Sequence, residues 1–132
     1  MKGTAINFET LKAKLLSLEG TRVVDTFEED LEKLLTRGEV FKPKKIKLQR
    51  MIPCRCHGNS GVFWKNYSDA NGYDNIQIVT GWCLSTDGLW RQHSFLYQPI
   101  DDIIIETTEK RKIYFGFSLN VDESQYFHAS NY

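Results

Sequence analysis

At 132 residues, with 41% hydrophobic and 26% charged residues, the chain has the size and composition of one ordinary globular domain. Seventeen basic residues balance seventeen acidic ones, so no net charge draws it toward nucleic acid or an anionic membrane. No run approaches the ~20 apolar residues of a bilayer span, and Met1 to Thr10 lack the charged-then-apolar order of a signal peptide.

A cytoplasmic protein is therefore expected, with no nucleic-acid and no membrane partner. The three cysteines, Cys54, Cys56 and Cys83, are an odd number, and a disulfide framework does not suit a reducing compartment. Residues 1–132 read as a single domain, with a helical part over 1–40 and the residues capable of chemistry over 54–132.

Phe8, Leu11, Leu15 and Leu18 recur at spacings of three and four, which predicts one face of a helix ending at Gly20. Thr26 followed by Glu29 is a capping-box pattern, with Phe27, Leu31 and Leu34 on the next helical face and Gly38 as its stop. Both leucine stripes read as scaffold. Phe41 to Arg50 carries Lys42, Lys44, Lys45, Lys47 and Arg50 and reads as a solvated loop or edge strand, since no aromatic platform for a nucleic acid is interleaved.

Pro53 punctuates the chain ahead of Cys54-Arg55-Cys56-His57-Gly58-Asn59. A helix is predicted from about Asn59 to Asp69, stopped by Asn71-Gly72. The remainder reads as β: Ile76 to Leu84, a Ser85-Thr86-Asp87-Gly88 turn, a returning strand from Leu89 to Tyr97, a short Ile103-Ile104-Ile105 strand, and Lys112 to Leu119. Asp122 to His128 reads as a terminal helical turn.

Cys56 lies just before a predicted helix. A helix N-terminus carries N–H groups without helical partners and a partial positive charge, which favour a thiolate. The same groups can hold the oxyanion formed when a thiolate attacks a carbonyl. The competing reading is a small buried hydrophobe, although Arg55, His57, Gly58 and Asn59 are polar company for a core residue. Cys54, after Pro53, is expected in extended chain.

A nucleophilic thiol needs a base, and His93 on the returning strand is the candidate. If it lines a site rather than a core, its replacement costs little stability. Glu106, at the end of the isoleucine strand, can accept the second imidazole N–H and fix the tautomer. Its plain reading is a strand end emerging into water, and Asp101 and Asp102 compete for the role. Trp64, Tyr67, Trp82 and Trp90 suit a pocket lining or simple packing equally.

The order of a cysteine at a helix start, a histidine in a hairpin and an acid on the next strand resembles the papain-like cysteine hydrolases in the broad sense, including the transglutaminase-like and NlpC-type branches. Cys56-His57-Gly58-Asn59-Ser60 is similar to their cysteine segment. The stretch from Gly81-Trp82 through Asp87-Gly88 and Trp90 to His93-Ser94-Phe95 is similar to their histidine hairpin, and Ile104-Ile105-Glu106-Thr107-Thr108 to the strand carrying their third residue. The likeness spans roughly residues 54–108. The third residue here is Glu where that group usually has Asp or Asn, and no Gln stands where the group's oxyanion-holding Gln is expected, Gln49 being a weak candidate.

What the resemblance implies is an α+β fold with N-terminal helices, a central helix carrying Cys56 at its start and an antiparallel sheet of four or five strands. The implied activity is thiol-dependent acyl-group hydrolysis or transfer (an amidase, peptidase or deamidase) on a protein, peptide or amide substrate. Cys56 would be the nucleophile, His93 the base and Glu106 the orienting acid. No cofactor is called for. A non-enzymatic interaction module on the same fold is the alternative. Zinc held by Cys54, Cys56 and His57 with Cys83 and His93 is a further one, but Cys-x-Cys-His is not a finger spacing and no metal is expected.

Overall fold

The computed structural model describes residues 2–131, with side chains from Phe8 onward. The ends of the expected domain, Met1 and Tyr132, lie outside the described residues. The chain order is α1 (Lys2–Leu18), β1 (Arg22–Val23), α2 (Leu31–Arg37), β2 (Glu39–Phe41), β3 (Lys45–Leu48), α3 (Cys56–Asn71), β4 (Gln77–Leu84), β5 (Leu89–Gln98), β6 (Ile103–Glu106), β7 (Ile113–Ser118) and α4 (Val121–Asn131). This is α+β, with four helices and seven strands among the described residues. The strands bond in the order β2-β7-β4-β5-β6-β3, and β1 pairs with β5.

The expectation of a purely antiparallel sheet of four or five strands is corrected. β1 runs parallel to β5 and β3 parallel to β6, so the sheet is mixed. Beyond the four strands the pattern indicates stand β1, β2 and β3, two, three and four residues long, with β3 inside the segment read as a loop or edge strand. Strands this short are chosen by what they pair with rather than by their own pattern.

Two compact units divide the chain, each assembled from separate segments. The first takes the chain up to Phe41, with Gly81–Gln92 and Arg111–Phe117. Leu11, Leu15, Leu34, Trp82, Trp90 and Phe115 fill its core. The expected capping box is not formed: α2 begins at Leu31 after Asp30, with no side-chain cap, and Phe27 is exposed. The carboxylate of Glu28 explains the difference. It accepts hydrogen bonds from Trp82 Nε1 at 2.7 Å and Gln92 Nε2 at 3.0 Å, so the loop is drawn onto β4 and β5 instead of coiling.

In the same unit Trp90 Nε1 donates to the Glu19 carbonyl at 2.8 Å. Trp82 and Trp90 are fully buried and satisfied, so they are packing residues and do not line a pocket. A Cβ on Gly81 would stand 2.2 Å from the Phe115 carbonyl and 2.5 Å from Gly116 Cα. Gly81→Ala will cost about 1–3 kcal/mol or more, read from urea unfolding.

The second unit takes Lys42–Thr80, His93–Lys110 and the chain from Ser118 onward. The basic segment forms β3, an edge strand pairing Lys45 to Leu48 with Ile103 to Glu106. Exposed lysines on an edge discourage pairing with other chains. α3 and α4 pack together, and Gly61 permits it, since a Cβ there would stand 3.1 Å from His128 Cα. α4 exceeds the helical turn expected over Asp122 to His128. Asn120 and Glu123 form a reciprocal cap, each side-chain oxygen accepting from the other's backbone N–H at 2.8 and 2.9 Å.

Among the described residues no helix is long and apolar enough to cross a membrane.

Candidate active site

Cys54, Cys56, His57, His93 and Glu106 all fall in the second unit, and Cys83 in the first. Pro53 and Cys54 occupy the middle of a turn closed by the Arg55 N–H on the Ile52 carbonyl at 3.3 Å. Cys54 has φ +61°, which corrects the extended conformation expected for it. Proline followed by a positive φ is the pattern of a type II turn, whose third position normally suits glycine.

Asn59 holds this turn from inside the helix. Its Oδ1 accepts from the Ile52 N–H at 3.3 Å and its Nδ2 donates to the Ile52 carbonyl at 2.7 Å. The pinned turn starts α3 at Cys56, three residues earlier than the helical pattern indicates. The helix opens without a side-chain cap and without an acidic residue in its first turn, so nothing anionic competes with Cys56 for its positive end.

His93 and Glu106 are almost completely buried, at 1% and 0% exposure. Leu96 pairs with Ile105 across the β5–β6 ladder, so one further step puts Glu106 opposite Phe95 and diagonal to His93. Diagonal neighbours on one face are within reach of long side chains. His93 Nε2 meets Glu106 Oε1 at 2.8 Å. Glu106 Oε2 accepts from both the N–H and the hydroxyl of Thr108, each at 3.0 Å. Glu106 therefore does not emerge into water, and the small stability cost expected for replacing His93 does not fit a buried, paired ring.

Asp102 is committed elsewhere, accepting from the Tyr97 hydroxyl at 2.6 Å and the Lys44 N–H at 3.1 Å, and Asp101 is exposed. Gln49 is exposed, while its backbone N–H donates to the Glu106 carbonyl at 2.8 Å.

The Cys56 thiol hydrogen-bonds with both His57 and His93. With Nε2 of His93 engaged by Glu106, Nδ1 is the ring nitrogen left for sulfur. Burial pushes the thiol up, but the hydrogen bonds and positive charge of His57 and His93 outweigh it and bring the pKa from 9.0 to about 5. Burial pulls His93 down, and its bonds to Cys56 and Glu106 overcome this and raise it above the ordinary 6.5. The arrangement favours thiolate beside imidazolium.

His57 is the group whose part the sequence left unspecified. Its Nδ1 lies 2.6 Å from Ser94 Oγ, which in turn donates to Thr80 Oγ1 at 2.9 Å, and its ring meets Phe127 of α4 edge-on at 6.0 Å. Cys54 is exposed and Cys83 fully buried. Among the described residues no three His, Cys, Asp or Glu side chains are grouped to hold a metal.

Two outcomes follow for the thiols. Labelling of Cys56 by iodoacetamide, followed by peptide mass spectrometry across pH, will reach half its plateau near pH 5; a half-maximum near the ordinary 9.0 would contradict the assigned environment. Cys54→Gly will retain that profile and leave the fold as stable or more so, because glycine adopts positive φ without the penalty of about 1–2 kcal/mol.

The architecture defines an α+β protein with a mixed sheet and a half-buried cysteine beside a buried His–Glu pair. Comparison with protein-family models, with curated proteins and with solved structures finds no match.

Proposed function

We propose that the chain is a thiol-dependent acyl-group hydrolase or transferase acting on a protein, peptide or amide carbonyl, working in the reducing cytoplasm and akin to the papain-like group it resembles. The observation that carries this reading is the continuous line from Cys56 at the start of α3, through His93, to a fully buried Glu106. Burying a charged carboxylate on a histidine is costly, and perturbed titrations of this kind concentrate at functional sites.

In the proposed step the Cys56 sulfur pair forms a bond to the carbonyl carbon, and the C=O π pair moves onto oxygen. Collapse of that intermediate expels the leaving amine, which takes its proton from His93. The thioester is then released by water or by a second amine, with His93 accepting the incoming nucleophile's proton. Glu106 keeps the imidazole oriented and balances its charge.

Incubation with p-nitrophenyl acetate, a generic acyl donor, will release p-nitrophenolate in a burst and leave acetyl on Cys56, detected by peptide mass spectrometry. Cys56→Ser will abolish the burst. Acetyl confined to lysines or to Cys54, with no burst, would overturn the reading and favour an interaction module.

A further inference from the structure

We propose that His57 is a second catalytic imidazole at Cys56, a partner of the sulfur separate from His93, set in place by the Ser94 and Thr80 hydroxyls. The proposal rests on the thiol reading above and deepens it. It begins from a count of charges. His93 stands between two anionic groups: the Glu106 carboxylate at 2.8 Å on Nε2 and the Cys56 thiolate on its other side. One imidazolium cannot balance both, and in a water-poor site the surplus negative charge would drive the sulfur back to its protonated form. A second positive donor at the sulfur removes the surplus, and His57 is hydrogen-bonded there.

The surroundings of His57 suit that task. Ser94 gives its hydroxyl proton to Thr80 Oγ1 at 2.9 Å, so its oxygen faces the His57 ring as an acceptor. At 2.6 Å it takes the proton of Nδ1, so Nε2 is assigned to the bond with sulfur. A ring held as a donor at Nδ1 by a neutral hydroxyl becomes cationic by gaining a proton at Nε2. This differs from His93, whose far nitrogen meets a carboxylate. The two rings thus divide the work: His93 exchanges protons with substrate, with Glu106 setting its tautomer, while His57 holds the sulfur's charge until attack.

Of the ionisable groups around His57, Cys56 adjoins it on α3; His93 of β5 bonds the same sulfur, with Glu106 of β6 on the far side of the His93 ring. From α4 the uncharged Phe127 meets the ring edge-on, and the next residue, His128, packs over Gly61, one turn along α3 from His57. Arg55, its remaining charged neighbour in the chain, is exposed.

The test is the pH profile of Cys56 alkylation in the full chain. Removing one cationic partner of the sulfur will raise the half-maximum by about 1–2 pH units in His57→Ala. His57→Gln, which keeps a neutral donor, will give a smaller rise, and Ser94→Ala a smaller one still in the same direction. Circular dichroism and thermal melts will verify that the variants fold.

As a readout independent of those variants, NMR titration of the His57 ring will show its protonation midpoint falling in Cys56→Ser relative to the parent. A parent profile with no low-pH plateau would sink the thiol reading and this proposal together. A parent plateau near pH 5 left unmoved by His57→Ala, or a His57 titration indifferent to Cys56→Ser, would overturn the role of His57 alone.

Discussion

Glu106→Ala will destabilise the chain by about 3–5 kcal/mol, the usual result of breaking a buried pair from one side. The carboxylate is fully buried and accepts three hydrogen bonds, from His93, the Thr108 N–H and the Thr108 hydroxyl. Removing it strands a buried imidazole whose protonation its charge supports, and it leaves the Thr108 N–H and hydroxyl without that acceptor. Urea unfolding at pH 6 measures the loss.

Glu106→Gln separates stability from chemistry. An amide has one acceptor oxygen to share between His93 and Thr108, both donors toward this position. If the oxygen keeps Thr108, the amide N–H₂ faces His93 and fixes its proton on Nδ1, the wrong tautomer for accepting a proton from the thiol. Glu106→Gln will therefore cost less stability than Glu106→Ala but will lose rapid Cys56 labelling. A Gln variant that labels as fast as the parent would remove Glu106 from the site and leave it a structural residue.

The sequence made the local half of this site legible. A cysteine before a helix, a histidine on the returning strand of a turn-marked hairpin and an acid ending an isoleucine run are each visible within a dozen residues. Their meeting depends on β5 and β6 being antiparallel neighbours, which the short link between them forecasts. Hidden from such reading was everything set by distant partners. Glu28 is drawn to Trp82 and Gln92, which cancels the Thr26 capping pattern. Ile52 is clasped by Asn59, which moves the helix start to Cys56. Ser94 and Thr80 come from different strands to seat His57. β3 finds its place only beside β6. The start of α4, by contrast, carries a local signal, Asn120 and Glu123 at capping-box spacing.

His93→Gln will slow alkylation of Cys56 near pH 6 and accelerate it at alkaline pH, a reversal that simple damage to the fold would not produce. Glutamine is chosen because its side-chain N–H can still donate to Glu106, whereas alanine would leave that carboxylate buried and unpaired. With the parent pKa at about 5, most of Cys56 is thiolate at pH 6. Were the pKa to return to the ordinary 9.0, the thiolate fraction there would fall roughly a thousandfold. Each thiolate would also become more reactive, by about 40–100-fold over some four pKa units.

The net loss at pH 6 is therefore at most ~10–20-fold, and less to the extent that His57 still holds the sulfur. Above the variant's own pKa both proteins are fully ionised, and only the reactivity gain remains, so the variant becomes the faster of the two. Stability follows the same signs. The Cys56 contribution, from a pKa held below its ordinary value, is lost as pH falls through about 5. The His93 contribution, from a raised pKa, is complete below the ordinary 6.5 and is lost as pH climbs through the higher folded value. Rates measured on the Cys56 peptide at pH 6 and above pH 9 decide the matter: parallel slowing at both would mean that His93 only supports the fold, and the crossing means that it sets the charge on sulfur.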